Sequence, residues 1–176
     1  MRARGLLAAY LRRMTPAGGQ LPEPLDLKEV FLQQWELLQA EETVPPDLRL
    51  DLDPRAPLVP INGVYADFAE AFSQIIRHAS TSPSTTRLKL DITMDGVFFR
   101  LDFEDDGGPL DPHRIELAFD PLQTRMLDGH PAGGVRQPGP GLPIASQQLN
   151  PYNAKLSLEN LAHGSRLRLL MPRDGT

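Results

Sequence analysis

Two glycine-containing segments carry the residue types that could bind a ligand. Glu104-Asp105-Asp106-Gly107-Gly108-Pro109-Leu110 puts carboxylates on a glycine turn, and Gly139-Pro140-Gly141-Leu142-Pro143-Ile144-Ala145 puts a glycine pair before an apolar run. A carboxylate that the fold buries can accept the exocyclic amine of a base, a role that Asp105 could fill, and Gly107 lets the backbone approach without a β-carbon. A glycine turn that opens a helix directs backbone N–H groups at phosphate. Together the segments could hold a ligand that carries both an amine donor and a phosphate.

The elements that must position these segments are separated by proline and glycine clusters. An amphipathic helix is predicted over 26–40, with the carboxylate of Asp26 capping the N–H of Glu29 and Glu29 reaching back. A second helix is predicted over 64–79 with one broad apolar face. His78 lies near the edge of that face, which predicts a partly exposed side chain.

The predicted strands come mostly as hairpins. Residues 88–94 and 97–104 alternate apolar and polar side chains on either side of Asp95-Gly96, which predicts a hairpin with a type I′ turn at those two residues. The other predicted elements are a strand at 48–52, short helices at 112–118 and 142–149, and a second hairpin formed by 155–159 and 165–171.

This order of elements predicts the fold class. Strands that arrive in hairpins, with helices between them, favour a two-layer α+β sandwich in which a mixed, mainly antiparallel sheet is covered on one face by helices. Residues 1–24 are expected to form an N-terminal helix and linker, and residues 25–176 one domain. The apolar side of the segment 6–14 is compatible with dimerisation or with packing on its own domain. The glycine- and proline-rich loop at 120–140 has the length of a functional lid or a disordered segment.

Composition excludes several classes of protein. The net charge is −5, from 18 basic and 23 acidic residues, and basic residues do not cluster, so nucleic-acid binding is not expected. The chain has no cysteine, which excludes disulfides, thiolate metal sites and a cysteine nucleophile. Its apolar runs are shorter than the ~20 residues that span a bilayer. A cytoplasmic protein without a membrane span is expected.

Taken in order, these segments resemble the histidine-kinase-type ATP-binding domain of the GHKL superfamily, which is shared with gyrase and MutL. The resemblance covers roughly residues 25–172. Its motifs are the helix 68–79, the turn 105–110, Phe119-Asp120-Pro121-Leu122, the turn 139–145 and Gly164-Ser165. In the helix, Gln74 and His78 fall at the two positions where the family has asparagine.

The resemblance implies ATP and magnesium as ligands. It implies an adenine contact for Asp105 with Gly107 beside it, and phosphate contacts for Gly139, Gly141 and Leu142. A plain turn-forming role is the alternative for Asp105, because aspartate hydrogen-bonds its own backbone in turns.

The helix would supply the other ligand contacts. The resemblance implies nucleotide contacts for Gln74 and His78, with His78 at the magnesium position. Glu70, one turn before Gln74, is implied as a water-activating base, with a solvent-facing charge as the alternative.

Four residues depart from the family pattern. His78 offers nitrogen where magnesium prefers oxygen, and Gln74 is one methylene longer than asparagine. Pro109 replaces the second glycine of the aspartate turn. Pro143 replaces the last glycine of the second turn and lacks the N–H that would face phosphate. These departures predict that metal-dependent catalysis is weakened or lost.

Two functions remain open at this point. Residues 1–77 contain no histidine, so a phosphoacceptor hairpin of the usual kind is not expected within them, and the chain is either a fragment of a longer protein or a free-standing relative. The first function is an ATP-binding domain in signal transduction that works with a separate phosphoacceptor domain or response regulator. The second is a pseudokinase module that binds no nucleotide and acts through protein–protein contacts.

Overall fold

The computed structural model describes residues 21–121 and 141–173. The N-terminal helix predicted at 1–14, most of the loop predicted at 120–140, and Gly139 lie outside the described residues. The division of the chain at residue 24 stays a prediction. The helices are α1 (Leu27–Ala40), α2 (Tyr65–Ala79), α3 (Pro112–Ile115) and α4 (Leu142–Leu149), and a 3-10 turn (Asn150–Tyr152) follows α4.

The main sheet has five strands in the order β2-β4-β5-β7-β6. Strand β2 runs parallel to β4, and the other neighbours are antiparallel. The strands are β2 (Arg49–Leu52), β4 (Arg87–Asp95), β5 (Phe98–Asp105), β6 (Lys155–Leu161) and β7 (Gly164–Pro172). The prediction of a mixed, mainly antiparallel sheet is confirmed.

The sheet is apolar on one face and charged on the other, which explains why helices cover only one side. Along β5, Phe99, Leu101 and Phe103 are buried in the core that the helices share. The alternate residues form ion pairs across the open face: Arg168 Nε lies 2.7 Å from Asp102 Oδ1, and Arg166 Nη2 lies 2.6 Å from Glu104 Oε1. Two-residue periodicity therefore sets both layers.

A second, two-stranded sheet was missed by the sequence analysis. Strand β1 (Glu23–Asp26) pairs antiparallel with β3 (Pro60–Gly63), so Pro24 lies opposite Asn62 and Asp26 opposite Pro60. Proline clusters were interpreted as interruptions, but proline is tolerated on an edge strand whose N–H side is not needed for pairing. The pairing is long-range, and a local pattern does not reveal it.

Two local predictions need correction. Asp26 caps α1, but its Oδ1 accepts from the N–H of Lys28 at 3.1 Å, not from Glu29, and also from Val59 at 2.8 Å. In the first hairpin Asp95 pairs with Phe98, so the turn residues are Gly96 and Val97. Only Gly96 has positive φ (60°), which indicates a type II′ turn in place of type I′. No helix among the described residues is both long and apolar enough to cross a membrane.

Candidate functional site

Asp105 lies at the end of β5, between β4 and β7, where Leu88 and Ser165 are its register partners. The side chain is buried, with 6% exposure. Its Oδ1 accepts the N–H of Gly107 at 2.9 Å, and its Oδ2 accepts the hydroxyl of Ser165 at 2.6 Å. A carboxylate offers about four acceptor positions, so these two bonds orient it and are compatible with a further donor. Asp105 is thus a fixed, buried acceptor.

The backbone approaches closely around this carboxylate. Gly164, just before Ser165, has φ of +128°, and a β-carbon there would overlap the carbonyl oxygen of Asp105. Gly108 has φ of +85° in the turn itself. Both conformations favour glycine, because an L side chain rarely adopts them. The glycines at this end of the site are therefore needed by the backbone.

Asn160 of β6 holds the far end of the same turn. Its Oδ1 accepts the N–H of Leu110 at 2.7 Å, and its Nδ2 donates to the carbonyl of Leu110 at 2.9 Å. The side chain thus pairs with the backbone as a neighbouring strand would. The sequence analysis missed this residue, although a signal existed: Asn160 occupies the position where the alternation of Leu156 and Leu158 predicts an apolar residue.

The second group of predicted site residues lies where α2 meets α4, a region called here the α2–α4 seam (Glu70, Gln74 and His78 of α2 with Gly141 and Leu142). Gln74 Nε2 donates to Glu70 Oε1 at 2.6 Å, and both side chains are half-buried. A β-carbon on Gly141 would overlap the amide of Gln74. The structure therefore brings Glu70, Gln74 and Gly141 together. The polar groups of Glu70 and Gln74 bond to each other, and Gln74 also packs against Gly141. Leu142 is fully buried in the core.

His78 differs from its prediction, because the side chain is only 3% exposed and its Nε2 is buried. The expectation of a partly exposed helix-edge histidine is wrong. Helix α2 contacts both α1 and α4, so its buried face is wider than its apolar stripe and also includes Ser73. A residue at the edge of the stripe is covered as a result.

His78 does not fit magnesium. Magnesium requires near-octahedral oxygen ligands, whereas His78 offers the nitrogen of a buried imidazole. The chemistry of this side chain therefore argues against the magnesium role implied for it.

The start of α4 is also poor in donors. Gly141 is the N-cap residue and makes no side-chain cap bond, and the helix has proline in its first turn. Pro143 has no N–H, so one of the donors that a helix N-terminus usually offers is missing. The remaining N–H groups of this turn would have to serve an anion.

Tyr152 fixes the other end of the seam. Its hydroxyl donates to Asp67 Oδ2 at 2.6 Å and accepts the N–H of Val64 at 3.0 Å, and its ring centroid lies 4.4 Å from that of Phe68. Burial, together with the hydrogen bond to Asp67, raises the pKa of Tyr152 to about 12. The phenol therefore supplies an acceptor at the N-terminus of α2, where Val64 has no side-chain cap.

A separate groove lies at the β2–β4 edge. Its volume is about 700 Å³, and it is lined by Asp47, Arg49, Leu50, Asp51, Thr86, Arg87 and Asp106. Its charged side chains are largely solvent-exposed, as the Arg87–Asp51 pair shows (57% and 54%). A buried, oriented carboxylate is a better indication of ligand binding than an open groove, and we therefore centre the candidate site on Asp105.

Solved structures with a similar fold are histidine-kinase domains. The mycobacterial sensor histidine kinase MprB is 18% identical with a TM-score of 0.67, covering 89% of this chain and 100% of that one. The ATP-binding domain of PrrB from Mycobacterium tuberculosis is 22% identical with a TM-score of 0.65, covering 86% and 96%. A nucleotide-free catalytic domain of the histidine kinase ThkA is 13% identical with a TM-score of 0.70, covering 88% and 97%.

Sequence comparison adds no relative. No protein-family model and no curated protein matches the chain. The likeness to the solved structures is therefore one of fold, and it agrees with the mixed, mostly antiparallel five-stranded sheet covered by helices on one face. The chain has the fold of histidine-kinase catalytic and ATP-binding domains.

Proposed function

We propose that the chain is a histidine-kinase-like ATP-binding domain acting in signal transduction, with catalysis weakened or lost. The observation that carries the proposal is the buried carboxylate of Asp105, held by Gly107 and Ser165 at the end of β5. A site built around such an acceptor favours a base that turns an amine donor towards it, because a base with an acceptor at that position, such as the carbonyl oxygen of guanine, would be repelled by the carboxylate. Adenine has that donor.

In this proposal the nucleotide lies between the two glycine turns. Asp105 accepts the exocyclic amine of adenine, and Gly107 allows the base to approach the backbone. Backbone N–H groups near Gly139, Gly141 and Leu142 meet the phosphates, aided by the dipole of α4.

The weakness of catalysis follows from the α2–α4 seam. A general base needs its carboxylate near the attacking water, but that of Glu70 accepts the amide of Gln74 at 2.6 Å. His78 does not fit magnesium, so no phosphoryl-transfer step is assigned to the metal. We propose ATP binding without efficient transfer, with a phosphoacceptor domain or response regulator as the cytoplasmic partner.

A second candidate function is a pseudokinase module that binds no nucleotide and serves as an interaction domain. One observation favours it: the amide of Gln74 already packs against Gly141, where phosphate contacts are expected. In this case the fold would present a surface to a signalling protein or to a second copy of the chain.

Thermal unfolding with ATP, with and without magnesium, separates the two functions. ATP at a hundred times its dissociation constant should add about 2.7 kcal/mol to the free energy of unfolding, whereas GTP should add less. No shift at millimolar ATP would favour the interaction module and refute nucleotide binding.

His78→Asn tests the reason given for the loss of metal dependence. If imidazole in place of an amide oxygen is the cause, ATP should stabilise this variant more with magnesium than without it. A variant that binds ATP but shows no response to magnesium would refute this role of His78.

A further inference from the structure

The second carboxylate of the turn, that of Asp106, is bonded quite differently from that of Asp105. Its Oδ1 accepts the N–H groups of Thr86 at 2.8 Å and Arg87 at 3.0 Å, and its Oδ2 accepts the hydroxyl of Thr86 at 2.7 Å. Three donors from two consecutive residues therefore converge on one side chain. This exceeds the local bonding that makes aspartate common in turns.

These donors lie where the sheet begins. Arg87 is the first residue of β4, and the carbonyl of Thr86 accepts the N–H of Arg49 at 3.0 Å, the first bond between β2 and β4. In the same region Ser84 donates to the carbonyl of Gly107 at 3.3 Å. Asp106 thus ties the turn after β5 to the start of β4 and, through Thr86, to β2.

The turn needs such a tie because of its composition. Gly107 and Gly108 lose more conformational freedom on ordering than other residues, and Gly108 has φ of +85°. If this segment were loose in the free protein, a ligand would have to order it, and affinity would fall by that cost. The bond from Gly107 to Asp105 would also lose its fixed geometry.

Asp106 is ionised in this role. Burial by itself raises the pKa of Asp106, but the hydrogen bonds from Thr86 and Arg87 outweigh it, and the pKa lies below its usual value. The charged form, which only accepts hydrogen bonds, is the one that the turn favours.

We propose that Asp106 is a positioning residue: it holds the turn in the shape in which Asp105 and Gly107 receive a base, and so sets affinity and base selectivity. This inference rests on the proposed nucleotide site. It assigns to Asp106 no contact with the ligand.

Calorimetric titration with ATP and with GTP tests the proposal. Asp106→Ala should bind ATP about tenfold more weakly than the parent and narrow the preference for ATP over GTP. Asp106→Asn keeps an acceptor for both N–H groups, so its dissociation constant for ATP should stay within about threefold of that of the parent. Asp53→Ala is the matched control, because Asp53 also accepts a backbone N–H, that of Arg55 at 2.8 Å, but does so in an exposed loop. The affinity of this variant for ATP should equal that of the parent.

The outcomes are distinguishable. An Asp106→Ala protein that binds ATP within about twofold of the parent overturns the proposal. If the parent itself binds no ATP, the proposed function fails, and hydrogen exchange at the Gly107 amide decides the role of Asp106. If the Gly107 amide exchanges faster in Asp106→Ala than in Asp53→Ala, Asp106 holds the turn as proposed. Equal exchange in the two variants overturns the proposal. If Asp106→Ala does not fold, Thr86→Val removes one of the three bonds and should weaken ATP binding about twofold, whereas unchanged binding overturns the proposal.

Discussion

The two ends of the candidate site differ in where their polar groups are directed. At the turn after β5, Asp105 is held by a backbone N–H and a hydroxyl. At the α2–α4 seam, Gln74 is bonded to Glu70 and packed on Gly141, so the side chains engage one another. At one end the backbone and a neighbouring strand orient a carboxylate, whereas at the other end the polar side chains hold one another.

The glycines of the two ends differ in the same way. A β-carbon on Gly164 would meet backbone, namely the carbonyl of Asp105, in a conformation with positive φ. A β-carbon on Gly141 would meet the end of a flexible side chain, and φ there is an ordinary −86°. Backbone cannot move aside easily, whereas a glutamine side chain can.

The largest effect on stability is expected for Gly164→Ala. Backbone strain and overlap with Asp105 should lower the free energy of unfolding by about 3 kcal/mol, measured by denaturant titration. Gly96→Ala is the control, because Gly96 also has positive φ (60°) but open space around it, and should cost about 1 kcal/mol. Equal losses in the two variants would show that the close approach at Asp105 does not matter.

Removal of the Asp105 carboxylate should reduce ATP binding by a free energy close to the stability lost in Gly164→Ala. Asp105→Ala should abolish the ~2.7 kcal/mol of stabilisation expected from ATP at a hundred times its dissociation constant. The variant also loses its bonds to Gly107 and Ser165 and is less stable for that reason. The stabilisation by ATP is therefore the difference between the free energies of unfolding of the variant with and without ATP, at a temperature at which the variant is folded. Asp91→Ala, on the open face of the sheet, should keep the full ATP effect. Retained ATP stabilisation in Asp105→Ala would move the adenine contact elsewhere.

Tyr152→Phe tests the end of the α2–α4 seam near the N-terminus of α2, and its expected loss of stability is intermediate. The variant keeps the ring against Phe68 but loses the bond to Asp67 and leaves the N–H of Val64 without this acceptor, at a cost of about 1–2 kcal/mol.

The same variant has a defined pH dependence. The fold raises the pKa of Tyr152 to about 12 from its usual value of about 10, so it stabilises the protonated phenol. This contribution is complete below pH 10 and is lost as the pH rises towards 12. The stability difference between parent and variant should shrink over that window, and a constant difference would contradict the assignment.

The smallest effect is expected for the contact between Gln74 and Gly141. Gly141→Ala should cost about 1 kcal/mol in the parent and less in a Gln74→Ala background, because the overlapping amide is then absent. A double-mutant cycle measures this coupling, and strictly additive costs would mean that the two residues do not press on each other.

Features with a local signal were predicted well. The hairpin of β4 and β5, helices α1, α2 and α4, and the order of elements followed from side-chain periodicity and turn residues. The fold resemblance was recognised from short segments in the correct order, and the similarity to solved structures confirms it.

Features that depend on distant partners were not predicted. The pairing of β1 with β3, the anchoring of Leu110 by Asn160 and the burial of His78 each depend on residues far away in the chain. The bonding of Asp106 was not predicted either, because nothing near it in the sequence reveals that Thr86 and Arg87 converge on it. A local pattern contains no information on these contacts.

The sequence by itself determined the fold class and the placing of Asp105 and Gly107 at the end of a strand, because periodicity and glycine turns act over a few residues. Only the tertiary structure decided how these residues are bonded. Sheet register put Ser165 against Asp105, and helix packing put Gln74 against Gly141. Whether a polar side chain is oriented for a ligand or bound to its neighbour depends on elements that meet only in the folded chain.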